Sequence, residues 1–318
     1  MTTPELSRRT FVRSATAATI LGPNLINANT APRTTSETLV TQLYKSLKDE
    51  QKKSVCFDFN HPLRSEINNN WHITKPRIGQ FFSKDQQDLI RQIFLGLHSE
   101  EYAESVLGQV EHDNGKQGFG GCSIALFGKP GSSTFEFVFT GRHVTRRCDG
   151  NSVEGAAFGG PIFYGHSARS FYEKPHHPDN IYWYQALRAN ELYQALDGKQ
   201  QETALKAQPR GERKTKTVEL KGSTDGLEGL PIGDLSNDQK ELAHKVMADL
   251  LAPFRKIDAD EAMKLVLAND FDTHRIAYYK NHDVGEDKVW DTWQIEGPNM
   301  VWHFRGDPHV HTWVHIRA

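Results

Sequence analysis

The heptapeptide Ser83-Lys84-Asp85-Gln86-Gln87-Asp88-Leu89 has a near-copy late in the chain, Ser236-Asn237-Asp238-Gln239-Lys240-Glu241-Leu242. In each, a Ser able to cap a helix is followed three residues later by a Gln able to reach back to it, a capping box. The first opens a stripe of Leu89, Ile93 and Leu97. A second helix follows each: one near 100–112, the other opened by Asp258-x-x-Glu261. Each helix pair then gives way to period-two patterning. Residues 121–127 and 134–148 read as strands after the first pair; 274–280, 289–296, 299–305 and 309–316 after the second. In 134–148, read as one long strand, Phe135, Phe137 and Phe139 alternate with Glu136, Val138 and Thr140. Helices gathered, then strands gathered, predict an α+β protein: antiparallel sheet with segregated helix pairs, built as two related helix-pair-plus-hairpin halves.

The remaining segments are less regular. Residues 36–53 predict one amphipathic helix, with Leu39, Leu43 and Leu47 at four-residue spacing. Residues 54–80 read as irregular, 129–133 as a turn, 161–164 as a short strand and 180–196 as a helix. Residues 206–234, rich in Gly, Lys and Thr, read as a mobile loop around a short strand at 216–220. Gly297-Pro298-Asn299 supplies a hairpin turn. The expected organisation is one large domain over 32–318, with halves 36–205 and 235–318 joined by that loop.

Residues 1–31 read differently from the rest. Arg8-Arg9 precede a weakly apolar stretch, Ala15 to Ile26, a pattern resembling a twin-arginine export signal. The expected location is periplasmic or secreted, with the twin-arginine machinery as partner. That route carries folded passengers, many already loaded with a cofactor. The full chain has 38 Lys+Arg against 40 Asp+Glu, a net of −2. Residues 1–31 carry Arg8, Arg9, Arg13 and Glu5, so without them the net is −2 − 2 = −4. Nucleic-acid binding, which needs cationic excess, is therefore not expected. No apolar run predicts a membrane span in the mature chain, and no G-x-G-x-x-G or P-loop predicts a nucleotide cofactor. Of Cys56, Cys122 and Cys148, a Cys122–Cys148 disulfide is favoured because both sit in one β segment.

Several stretches together resemble a known family. They are Asn70-Trp71, Gly79-Gln80-Phe81-Phe82, the 125–130 run Ala-Leu-Phe-Gly-Lys-Pro and Phe137 to His143. Gly160 to Gly165, Ile295 to Pro298 and His309-Val310-His311-Thr312-Trp313 complete the set. The chain resembles the bacterial domain of unknown function 3500 over about residues 70–315. Arg142 stands where that family usually has the first His of Gly-His-His, and the usual Arg-Asp-Pro tail after the C-terminal His pair is absent. The resemblance implies the fold and carries no activity.

The histidines carry the chemical argument. There are 15. On a strand, His309, His311, Trp313 and His315 share one face and Val310, Thr312, Val314 and Ile316 the other. A His-x-His pair spans about 7 Å at Cα, close enough for both imidazoles to hold one ion at about 2.0–2.1 Å. His143, on the parity of Phe135, Phe137 and Phe139, is the expected third ligand; His166 and His315 are weaker alternatives. His176-His177 between Pro175 and Pro178 reads as a solvated loop. Glu154 and Asp307 are weak candidates for a general base beside a metal-bound water. No G-x-S-x-G elbow is present, and opposite strand parity separates Cys148 from His143. The expected function is a mononuclear site for zinc, copper or iron in a metal-assisted hydrolase or oxidase. The alternative is a non-catalytic binding protein of the periplasm or cell envelope whose histidines satisfy one another.

The export reading makes a direct prediction. Replacing both Arg8 and Arg9 by Lys is expected to hold the precursor in the cytoplasm, as followed by cell fractionation. Normal periplasmic delivery of that variant would contradict the signal.

Overall fold

In a computed structural model, the described residues are 35–131, 134–168, 172–177 and 179–318; the expected signal at 1–31 lies outside them. The first half opens with α1 (Ser36–Ser46), α2 (Asp49–Val55) and the short strand β1 (Cys56–Phe57). A short α3 (Ile78–Phe81) leads to the helix pair α4 (Lys84–Gly96) and α5 (Ala103–Asp113). Four strands follow: β2 (Ser123–Gly128), β3 (Phe135–Gly141), β4 (Val144–Cys148) and β5 (Ile162–His166). The second half repeats this order. It has α6 (Trp183–Ala195), α7 (Gly198–Ala204), β6 (Leu205–Lys206) and a small strand β7 (Leu230–Pro231). The pair α8 (Asn237–Leu251) and α9 (Lys256–Ala268) precedes β8 (Arg275–Tyr279), β9 (Thr292–Gly297), β10 (Met300–Arg305) and β11 (Val310–Ile316).

All these strands join one sheet in the order β1-β2-β3-β4-β5-β11-β10-β9-β8-β6, with β7 beside β8. Each half is an antiparallel meander. The edge strands β1 and β6 pair parallel with β2 and β8. The meanders meet where β5 runs antiparallel to β11, and the helix ends meet where His98 bridges Phe254. The α+β class and segregated helix pairs are therefore present as the sequence implied.

The repetition extends to individual hydrogen bonds. Gln86 reaches back to the Ser83 N–H (3.0 Å), and Gln239 to the Ser236 N–H (2.9 Å). Gln51 and Gln200 do the same at the starts of α2 and α7. Gln51 and Gln86 then exchange amide hydrogen bonds of 2.9 and 3.1 Å, as Gln200 and Gln239 do at 3.1 and 2.9 Å. Each amide also donates to a carbonyl two residues before the partner's cap: Gln51 to Phe81 O, Gln86 to Ser46 O, Gln200 to Asp234 O and Gln239 to Ala195 O. Capping alone explains a Ser-x-x-Gln start; it does not explain why two capping boxes interlock identically twice.

Several local expectations change. Residues 36–53 break into α1 and α2, because Leu47 and Lys48 turn extended and Gln51 caps a new helix start. The predicted strand 134–148 is two strands, β3 and β4, folded back at Arg142-His143 with Gly141 paired to Val144. Helix α9 starts at Lys256 rather than Asp258, whose carboxylate accepts from Arg255 Nε (2.7 Å). Residues 214–218 form a 3-10 turn, not a strand, and Val218 packs with Ile67, Phe163 and Trp313. All three thiols are free. Cys122 lies level with Gly141 at one end of the β3–β4 hairpin and Cys148 at the other, roughly 13 Å apart along the strands, so the favoured disulfide cannot form.

The paired capping boxes generate a stability prediction. Gln86 is buried, and its loss strands the Gln51 amide and the Ser46 carbonyl. Gln86→Ala is expected to cost about 1–3 kcal/mol, and the more accessible Gln239→Ala about 1 kcal/mol or less, because water can replace its bonds. Urea unfolding of both variants checks the order; equal costs would contradict it.

Candidate metal centre

At the end of the β5–β11 seam, three imidazoles converge. His309 and His311 come from the start of β11 on the face away from the helices, where Trp313 and His315 also point. Val310, Val314 and Ile316 enter the helix-side core instead. The alternation is as read from sequence. His143 arrives by another route. It is the second residue of the β3–β4 turn, with φ 55°. That left-handed backbone costs a non-glycine residue roughly 1–2 kcal/mol. Three bonds hold it there. Its N–H donates to Asn69 O (2.9 Å), its carbonyl accepts from Gly165 N–H (3.1 Å), and its Nδ1 lies 2.7 Å from Asp113 Oδ2. Gly165 is required at this junction, since a Cβ there would lie 2.2 Å from Val310 O and 3.4 Å from His143 Cβ.

His311 Nε2 stands 3.1 Å from His309 Nε2 and 3.2 Å from His143 Nε2. The side chains are nearly buried, at 6%, 3% and 4% exposure for His143, His309 and His311. Glu212 Oε2 holds His311 Nδ1 at 2.7 Å, while Glu212 Oε1 meets Arg305 Nε at 3.1 Å. Two of the three rings thus have a carboxylate on the outer nitrogen, the arrangement that fixes the tautomer of metal-bound histidine. A neutral imidazole donating its Nδ1 proton carries a bare lone pair on Nε2. His143 and His311 then present lone pairs to each other at 3.2 Å. His309 can offer a proton to only one of them. A cation between the rings resolves the repulsion. An added proton resolves it less well, because burial, then Arg305, His143 and Arg142, hold the His311 pKa well below its ordinary value. Nitrogen separations near 3.2 Å match three ligands at about 2.0–2.1 Å around one ion.

The other sequence candidates lie elsewhere. His315 is four residues along β11, about 13 Å from His311, and its Nδ1 bonds Val218 O. His166 lies across the sheet from the trio, following Ile162 and Tyr164 toward the helix side. Glu154 is exposed beside Gly155, whose carbonyl accepts from Ala318 N, past the far end of β11 and roughly 26–30 Å along the strand from His309. Asp307 is close in sequence, but its carboxylate engages His282 Nδ1 (3.2 Å). A cleft of about 680 Å³ beneath residues 208–228 is lined by Arg210, Lys221 and Glu296 and includes none of the three histidines. Burial raises the thiol pKa of Cys56 to about 11 and those of Cys122 and Cys148 well above the ordinary value, so no thiolate nucleophile is available at neutral pH.

Sequence reasoning missed the two carboxylates. Asp113 ends α5, where the helix dipole disfavours an acid. That misplacement was a signal, and nothing in the pattern said what it served. Glu212 sits in the segment read as a loop, where no periodicity marks it.

Fold and site together describe an α+β protein with a buried, carboxylate-braced histidine cluster at the seam of a duplicated sheet. Residues 29–317 match the family described as Protein of unknown function (DUF3500), and the chain belongs to it. No curated protein and no solved structure matches the chain.

Proposed function

We propose that this is an exported protein holding one divalent transition metal on His143, His309 and His311, and that it acts as a metal-assisted hydrolase. The supporting observation is the convergence of three Nε2 atoms with Asp113 and Glu212 on the outer nitrogens of two rings. An all-imidazole donor set suits zinc or copper better than the harder cations. With three protein ligands, such an ion keeps a position for water and lowers its pKa toward neutrality. Asp113 and Glu212 orient the imidazoles and raise their basicity. Arg305, paired to Glu212 beside His311, supplies a fixed positive charge near the site, suited to an anionic substrate group or a developing oxyanion. Copper at the same ligands would make the protein an oxidase.

Among the described residues no helix is long and apolar enough to cross a membrane, which is compatible with export of a folded passenger. The binding-protein reading, in which the histidines share protons alone, requires a metal-free native protein.

Elemental analysis of tag-free protein purified without added metal tests the reading. A stoichiometric transition metal is expected, lost in His309→Ala/His311→Ala. Asp113→Asn and Glu212→Gln are each expected to weaken metal affinity about 10–100-fold while leaving the fold intact. A metal-free wild type that takes up none when offered zinc or copper would contradict the proposal and favour the binding protein.

A further inference from the structure

Behind the β5–β11 seam, on the helix side, lies a second group of ligand atoms. His166 ends β5 and is fully buried; Glu173 is 6% exposed. Both ring nitrogens of His166 and both carboxylate oxygens of Glu173 are buried without a hydrogen-bond partner. Their closest approach is His166 Nε2 to Glu173 Oε1 at 3.4 Å. His177 packs on His166 with ring centroids 5.3 Å apart, and ligand atoms of His166, Glu173 and His177 all lie within 4.8 Å of one another. On the other flank His112 stacks against His166 at 5.6 Å, and its Nε2 bonds Ser167 O (3.2 Å).

A buried imidazole with no partner, and a buried carboxylate with only the Asn180 amide beside it and no well-formed hydrogen bond, are costly. The two also fail to satisfy each other, since 3.4 Å is long for a charged hydrogen bond. His166 Nε2 and Glu173 Oε1, both of metal-ligand type, meet without satisfying each other, and a cation between them would serve both. Two imidazoles and one carboxylate are a donor set for a first-row divalent ion with open coordination positions. His177, only partly buried, provides the entry route such a site needs.

We infer that His166, Glu173 and His177 form a second site for a divalent first-row transition metal, distinct from the His143–His309–His311 centre. Asp113 stands between the two. Its Oδ2 holds His143, and its carboxylate also lies within 4.8 Å of His112 and His166 ligand atoms. A cation behind it would balance the charge it presents to the first centre.

The test is titration of chelator-treated full chain with zinc, counting tight equivalents. Wild type is expected to bind two. Glu173→Gln/His177→Ala is expected to bind one, and so is His309→Ala/His311→Ala. Near-ultraviolet circular dichroism confirms that each variant is folded. Because Glu173 is buried, His177→Ala alone serves as the milder variant and is expected to weaken the second equivalent at least 10-fold. A wild type binding one equivalent, lost with His309 and His311 and unaffected at Glu173 and His177, would overturn this inference while sparing the first centre. One equivalent lost only with Glu173 and His177 would support it and overturn the first centre. No binding at all would overturn both.

Discussion

The pairing of β5 with β11 is the contact on which the rest of the molecule depends. It joins two meanders, each with its own helix layer, into one sheet. Neither half can complete the histidine cluster alone. His143 and Asp113 come from the first half, His309 and His311 from the second, and Glu212 from the segment between them. Gly165 is the point where these meet: it pairs with His311, donates to the His143 carbonyl, and has no side chain to block Val310. A duplicated fold gives two half-surfaces, and the seam is where residues that differ between them come together.

Electrostatics then decides what the seam can hold. Buried imidazoles are poor places for protons, because burial disfavours the charged ring. His311 shows this most plainly, with Arg305 and Arg142 adding to the effect. Meanwhile the two outer carboxylates orient their rings so that bare nitrogens face inward. A neutral cluster with inward lone pairs is an unfavourable arrangement for a protein on its own, and a favourable one for a cation.

Much of this was legible in the sequence, for identifiable reasons. The period switch and the twin Ser-x-x-Gln starts gave the α+β class, and the interlocked Gln51–Gln86 and Gln200–Gln239 pairs turn that echo into a structural repeat. Strand alternation placed His309 and His311 on one face because β11 is regular. His143 reached the cluster although its sequence argument failed. The Arg142-His143 turn lacks the Gly or Asn that usually marks a left-handed position, so the hairpin read as one long strand and its parity meant nothing. Asp113, Glu212 and Glu173 were invisible as partners because their roles arise from contacts spanning layers, which no local pattern encodes.

The most direct test of the central claim is anomalous diffraction from a crystal of the protein grown with zinc, using data collected on both sides of the zinc absorption edge. The account expects an edge-dependent peak about 2.0–2.1 Å from Nε2 of His143, His309 and His311 alike. Density at those rings with no such peak, and ordered water or direct imidazole hydrogen bonds in its place, would contradict it.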